Sequence, residues 1–224
     1  FLKIKILNNF MPCYICGNPH TSREHAPPRC MFPREHRNNL ITVPSCVVHN
    51  ENTSADDEYV RDIICMSIQT NRVGFNQFMN RVARRYRNGT IFRQRFRDAN
   101  IYSSGNLRLA CLPIDRNIFD REMRKISYAM FYHSFSETWN RELTIITNGL
   151  YDQGTNDDVN HVNSLESIIP NDFLPGNNPQ VFSFHFFPIN QNDLNNHNRV
   201  LRMKFYERFT VWAFPNPATN VNSL

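Results

Sequence analysis

Apolar residues recur at helical spacing in three stretches of this chain and at strand spacing in four. Tyr59, Val60, Ile63, Ile64 and Met66 share one helical face, and Ser54 with Asp57 forms a capping pair, so a helix is predicted at about 55–69. A second amphipathic stretch, 72–87, is expected to turn Val73, Phe75, Phe78, Met79 and Val82 inward and Arg81, Arg84, Arg85 and Arg87 outward, stopping at Asn88-Gly89. Asp115 is placed to cap a third helix, 116–135, along which Ile118, Phe119, Met123, Ile126, Met130, Phe131 and Tyr132 form an apolar stripe.

The pattern then changes to strands at 143–147, 181–189, 200–206 and 209–214, rich in Phe and β-branched residues. Asn-rich stretches at 148–163, 170–180 and 190–198 separate them and read as turns. Residues 11–50 resemble neither half: they are dense in Cys, His and Pro, with two short strand-like runs at 21–25 and 40–43. The expected class is therefore α+β. It comprises a small metal-held module at 11–70, an Arg-rich helical segment at 71–112, and an α+β part at 113–224 whose antiparallel sheet packs on helix.

Composition narrows the function. No apolar run approaches 18 residues and mean hydropathy is −0.52, so no membrane span is expected. Lys3 and Lys5 interrupt the apolar start, which argues against an export signal and for a cytoplasmic protein. With 7 glycines and no glycine-rich phosphate loop, nucleotide-cofactor enzymes are disfavoured. The net charge of +5 is uneven: residues 1–100 hold 15 basic and 8 acidic side chains, against 10 and 12 beyond them. Residues 72–97 contain eight Arg and no acid, which suits a polyanionic partner better than a mixed solvated face.

Six cysteines, at 13, 16, 30, 46, 65 and 111, are too few and too unevenly placed for a disulfide scaffold. Cys30, Cys65 and Cys111 are expected to be small buried residues. Cys13-x2-Cys16 and Cys46-x2-His49, with 29 residues between the pairs, instead present a Cys3His donor set. Two such knuckles can converge on one zinc ion, and four protein ligands leave no open position, so this zinc would be structural. A competing assignment gives His49 to catalysis and leaves the zinc site incomplete.

Between the pairs lie Arg23-Glu24-His25-Ala26-Pro27-Pro28 and Asn39-Leu40, and Asn50 directly follows the second pair. Over about 11–68 this arrangement resembles the zinc-bearing HNH endonucleases, which have a ββα-metal fold. The run from Ser54 through Asp56, Asp57, Glu58 and Tyr59 is similar to one bacterial branch of that family, as, weakly, is the helix at 121–133. The resemblance implies that His25 is a general base, Asn39 the central motif residue, Asn50 the last motif residue and Glu24 a ligand of a catalytic Mg²⁺ or Mn²⁺. His49 stands where Cys is usual and Asn50 where His is common.

Elementary chemistry agrees with those roles. An imidazole can take a proton from water at neutral pH, and a divalent ion held by a carboxylate and an amide oxygen keeps positions free for phosphate. Asn39 is expected to hold the loop rather than to react. The expected activity is DNA phosphodiester hydrolysis, with Arg23, Arg81, Arg84, Arg85 and Arg87 contacting the nucleic acid, possible settings being defence, restriction or mobile elements. The alternatives are a non-catalytic zinc-stabilised nucleic-acid-binding protein and an interaction adaptor built on the Phe-rich sheet.

Overall fold

The computed structural model describes residues 11–50, 54–84, 99–104, 107–148, 150, 157–169, 178–190 and 192–217. Strands β1 (Ser22–His25) and β2 (Thr42–Ser45) pair antiparallel, with Glu24 opposite Val43 and His25 opposite Thr42. One-turn helix α1 (Val47–Asn50) and helix α2 (Ser54–Met66) follow, so the N-terminal part runs strand, strand, helix. Val60, Ile63, Ile64 and Cys65 of α2 are buried, as the helical spacing requires.

Helix α3 (Arg72–Gln77) begins at Asn71, whose side chain accepts the Gly74 N–H at 3.0 Å, and widens into a π turn at Phe78–Val82. Here the expected apolar face is corrected: Phe75 and Met79 are 53% and 45% exposed, while Gly74, Gln77 and Val82 are buried. The reason is close approach rather than hydrophobicity. A Cβ on Gly74 would collide with Thr70 Oγ1 and lie 2.8 Å from the Tyr206 ring, and Gln77 Nε2 donates to the carbonyls of Cys30 and Met31.

The segment 71–112, expected to be helical, also contains a strand pair, β3 (Asn100–Ser104) and β4 (Leu107–Cys111). Cys111 is exposed there rather than buried, Cys30 is partly buried, and Cys65 is buried as expected.

Helix α4 (Arg116–Phe135) starts where the Asp115 carboxylate accepts the N–H groups of Asn117 and Ile118, a cap worth about 1 kcal/mol. It ends at Ser136 in the left-handed region. Strands β5 (Leu143–Thr147), β6 (Phe182–Pro188), β7 (Arg199–Phe205) and β8 (Phe209–Pro215) form an antiparallel sheet in the order β5-β8-β7-β6. Helix α4 covers one face: Phe119 meets Phe209, and Phe131 stacks on Trp139 at 4.8 Å with Phe186 edge-on.

The other face carries Trp212 and Val200, and over them lies helix α5 (Asp157–Ile168), whose first half falls in the stretch 148–163 expected to be turn. Its polar composition conceals the few contacts that hold it. Val162 and Leu165 pack on Trp212, and Glu166 reaches Lys204 at 2.7 Å and buried Arg202 at 3.5 Å.

One apolar core runs from Cys13 and Tyr14 through α2 and α4 to the inner face of the sheet. Polar ties reinforce that contact: Arg121 pairs with Asp56 at 2.6 Å, and Tyr206 donates to the Met31 carbonyl at 2.5 Å. Among the described residues no helix is long and apolar enough to cross a membrane.

Candidate metal centre and the adjoining cleft

The first knuckle folds because its backbone closes on itself. Gly17, at φ +70°, donates its N–H to the Cys13 carbonyl, Cys13 donates to Asn18, and Pro12 bridges to Pro19. The second knuckle closes where the N–H groups of His49 and Asn50 reach the Cys46 carbonyl at 3.1 and 3.0 Å. Tyr14 joins the two, donating its N–H to the Pro44 carbonyl.

These turns bring the Sγ atoms of Cys13, Cys16 and Cys46 and a ring nitrogen of His49 within 4.8 Å of one another. Cys16 and Cys46 are 3.9 Å apart, and His49 Nδ1 is 3.2 Å from Cys46 and 3.5 Å from Cys13. A tetrahedral zinc with Zn–S bonds near 2.3 Å has S···S edges of about 3.8 Å, so the spacing and the donor types both fit that ion. Burial opposes ionisation of Cys13, but the backbone of Cys16, Ile15 and Cys46 and the His49 ring outweigh it and pull the thiol down to about 6. The cluster can hold a metal such as zinc, and His49 lies with the three sulfurs rather than apart from them.

Between the knuckles, β1 carries the motif into an open cleft of about 360 Å³. Arg23, Glu24, His25, Arg29, Asn50 and Asp57 are among the residues lining it, so three of the four expected catalytic positions share one space. The fourth, Asn39, is outside the lining. It occupies the left-handed region at φ +52° on the turn into β2, where Asn is tolerated better than most residues. Arg23 is held by Thr42, which accepts at 3.0 Å through both its hydroxyl and its carbonyl.

His25 sits beyond the Glu24 position on the same strand, and the following Ala26-Pro27 peptide is cis. Burial, then the positive charges of Arg29 and Arg37, lower its pKa, which keeps the ring neutral at neutral pH and able to accept a proton. Asn50 donates its amide N–H to Ser22 Oγ at 2.6 Å, which fixes the side chain and leaves its carbonyl oxygen as an acceptor.

Glu24 departs from the simple ligand role expected of it. Its side chain is buried, with Oε1 at 2.5 Å from Lys125 Nζ of α4 and Oε2 accepting from Tyr14 at 3.0 Å. Burial lifts the carboxyl above its usual range against the opposing pull of Lys125 and Tyr14. Lys125 also lies 3.4 Å from Asp57 and 3.6 Å from Glu122, and these acids overcome burial to hold it charged. Sequence reasoning missed Lys125, Tyr14, Asp57 and Arg29. Of these only Asp57 carries a sequence signal, as the capping partner of Ser54 and a member of the Asp56-Asp57-Glu58 run.

Of the expected nucleic-acid contacts, Arg23 lines the cleft and Arg81 and Arg84 are exposed on and just beyond the π turn. Arg85 and Arg87 lie outside the described residues.

Two outcomes follow from this geometry. Burial raises the Glu122 carboxyl to about 8, with Lys125 pulling the other way and Asp57 adding to the rise. A folded-state pKa above the unfolded value of about 4.5 means that its contribution to stability is complete below that value and lost as pH climbs through 8. Thermal melts of the parent chain and Glu122→Gln from pH 4.5 to 9 should therefore diverge, the variant losing less stability as pH rises; parallel curves would contradict the assignment. Second, metal analysis of the purified chain should find one zinc per molecule. Cys46→Ser should remove most of it and lower Tm by on the order of 10 °C.

No protein-family model, curated protein or solved structure matches this chain, and its functional reading accordingly rests on the site itself.

Proposed function

We propose that this chain is a zinc-stabilised endonuclease of the HNH type that hydrolyses DNA phosphodiester bonds with the help of a divalent ion. The observation that carries the reading is the convergence of His25, Glu24 and Asn50 on one cleft beside the Cys3His cluster. The strand, strand, helix order of 22–66 supports a ββα-metal module.

In this reading His25 accepts the proton of the attacking water, which its depressed pKa permits near neutrality. Arg23 and Arg29, exposed at the cleft, orient the scissile phosphate through its non-bridging oxygens. Oxygen donors for Mg²⁺ or Mn²⁺ would come from Asn50, from Asp57 and from the lone pairs of Glu24 that Lys125 and Tyr14 leave over; such an ion, when bound, supplies charge neutralisation at the phosphoryl and leaving oxygens. Lys125 fixes the Glu24 carboxylate in place, and the zinc cluster fixes the two chain segments that flank β1.

One observation favours a second reading, a zinc-stabilised nucleic-acid-binding protein that does not cleave. Glu24 already satisfies a buried lysine and a tyrosine, as a purely structural carboxylate would.

A plasmid-nicking assay with added Mg²⁺ or Mn²⁺ separates them. The nuclease reading expects metal-dependent nicking that falls about 10²- to 10⁴-fold in His25→Ala, with zinc content and duplex affinity unchanged. Equal nicking by parent and variant would remove His25 as the base, and binding without nicking would establish the second reading.

A further inference from the structure

The segment following the candidate base is a loop that both halves of the chain brace. After His25 the backbone makes two short 3-10 turns, Arg29–Met31 and Arg34–His36. Tyr206, at the turn between β7 and β8, donates its hydroxyl to the Met31 carbonyl, and Gln77 of α3 donates to the carbonyls of Cys30 and Met31. Asn178 donates to the carbonyl of Asn38 at the far end. Met31 and Phe32 are buried in the common core. Such a loop costs little further ordering when a ligand arrives.

What the loop presents is positive charge. Arg29 and Arg34 are exposed, Arg37 is partly exposed, and Glu35 is the one acid within 29–37. Arg37 Nε donates to the Phe32 carbonyl at 2.9 Å, which orients the guanidinium and leaves its remaining donors available. Gln77 sits one turn before exposed Arg81, so its bonds to residues 30 and 31 bring Arg81 to the same face. Burial lowers the pKa of Arg37, and the charges of Arg81, Arg29 and Arg34 lower it further, consistent with four arginines crowded together. None of the four forms an ion pair among the described residues.

An arrangement of like charges without counter-ions costs folding energy that a structural role does not recover, and a polyanion recovers it by neutralising the charges. Arg29 belongs both to this group and to the wall of the His25 cleft. We propose that Arg29, Arg34, Arg37 and Arg81 form a rigid grip for the sugar-phosphate backbone of duplex DNA that leads one strand into the His25 cleft. The proposal rests on the nuclease reading for its substrate, but its binding surface is tested separately. It enlarges the contact surface expected from the Arg-rich segment alone by adding the loop between the two metal-binding knuckles.

The test is the salt dependence of binding, measured by fluorescence anisotropy on a labelled 20-base-pair duplex in metal-depleted buffer with no Mg²⁺ or Mn²⁺ added, which withholds the ion for cleavage and leaves a structural zinc in place. Each neutralised phosphate contributes about 0.9 to the magnitude of the slope of log K against log[salt]. The variant Arg34→Gln/Arg37→Gln/Arg81→Gln should lower that magnitude by about 2 to 3 and weaken binding at least about tenfold at 0.15 M salt. The charge-preserving Arg34→Lys/Arg37→Lys/Arg81→Lys variant should keep most of the slope, and Arg208→Gln, on the β7–β8 turn, should leave it unchanged. Thermal midpoints and zinc content equal to the parent chain's establish that the variants are folded.

A slope unchanged in the Gln variant overturns the grip while leaving nicking by the parent chain to stand or fall by itself. A slope lost equally in the Lys variant also overturns it, since charge would then not be the cause. Loss of slope in the Gln variant alone supports the grip even if the parent chain nicks no plasmid, in which case only the nuclease reading fails.

Discussion

Three sulfur atoms and an imidazole nitrogen held within 4.8 Å are the constraint on which the N-terminal half depends. Thiolates at that spacing repel one another, and thiols are poor hydrogen-bond partners, so little in the protein alone repays bringing them together. A tetrahedral cation does, because each donor then gives a lone pair to the same charge. The consequence reaches past the four ligands. The knuckle at 13–16 and the helix start at 46–49 border β1 and α2, so an ion bound there would fix the two walls between which His25 and Asn50 are presented.

A second constraint joins that module to the rest of the fold. Lys125 projects from α4 onto Glu24 of β1, and Tyr14 reaches the same carboxylate from the first knuckle. A buried carboxylate and ammonium gain little over a well-packed apolar pair, yet removing either partner costs about 3 to 5 kcal/mol, because the other remains charged in a poorly solvated place. The pair therefore contributes more to register than to stability. It specifies where β1 lies against α4, and hence where the cleft opens.

Much of this was legible in the residue pattern, for reasons that differ by element. Helix α4 announced itself through Asp115 and a long apolar stripe, and the sheet strands through dense Phe and β-branched residues, because both are buried along their length. The Cys3His set was legible because the ligand spacing is itself the physical requirement. Helix α5 was not, since Val162 and Leu165 carry its attachment while eight of its twelve residues are polar. The inward face of α3 was misread because Gly74 and Gln77 approach Tyr206 and the 30–31 carbonyls, which hydrophobic periodicity cannot register. The strand pair at 100–111 had a signal, the turn-favouring Gly105-Asn106, that the preceding run of arginines obscured. Glu24, expected as a ligand of a catalytic ion, lines the cleft, but its partners are Lys125 and Tyr14, and no local pattern points to a contact 101 residues away in the chain.

X-ray absorption at the zinc K-edge of the purified chain tests the central claim most directly. The account predicts a four-coordinate first shell of three sulfurs near 2.3 Å and one nitrogen near 2.0 Å, with the nitrogen contribution lost or replaced in His49→Ala. A shell of nitrogen and oxygen alone, or a spectrum unaltered by substitution of Cys13, Cys16 or Cys46, would contradict it.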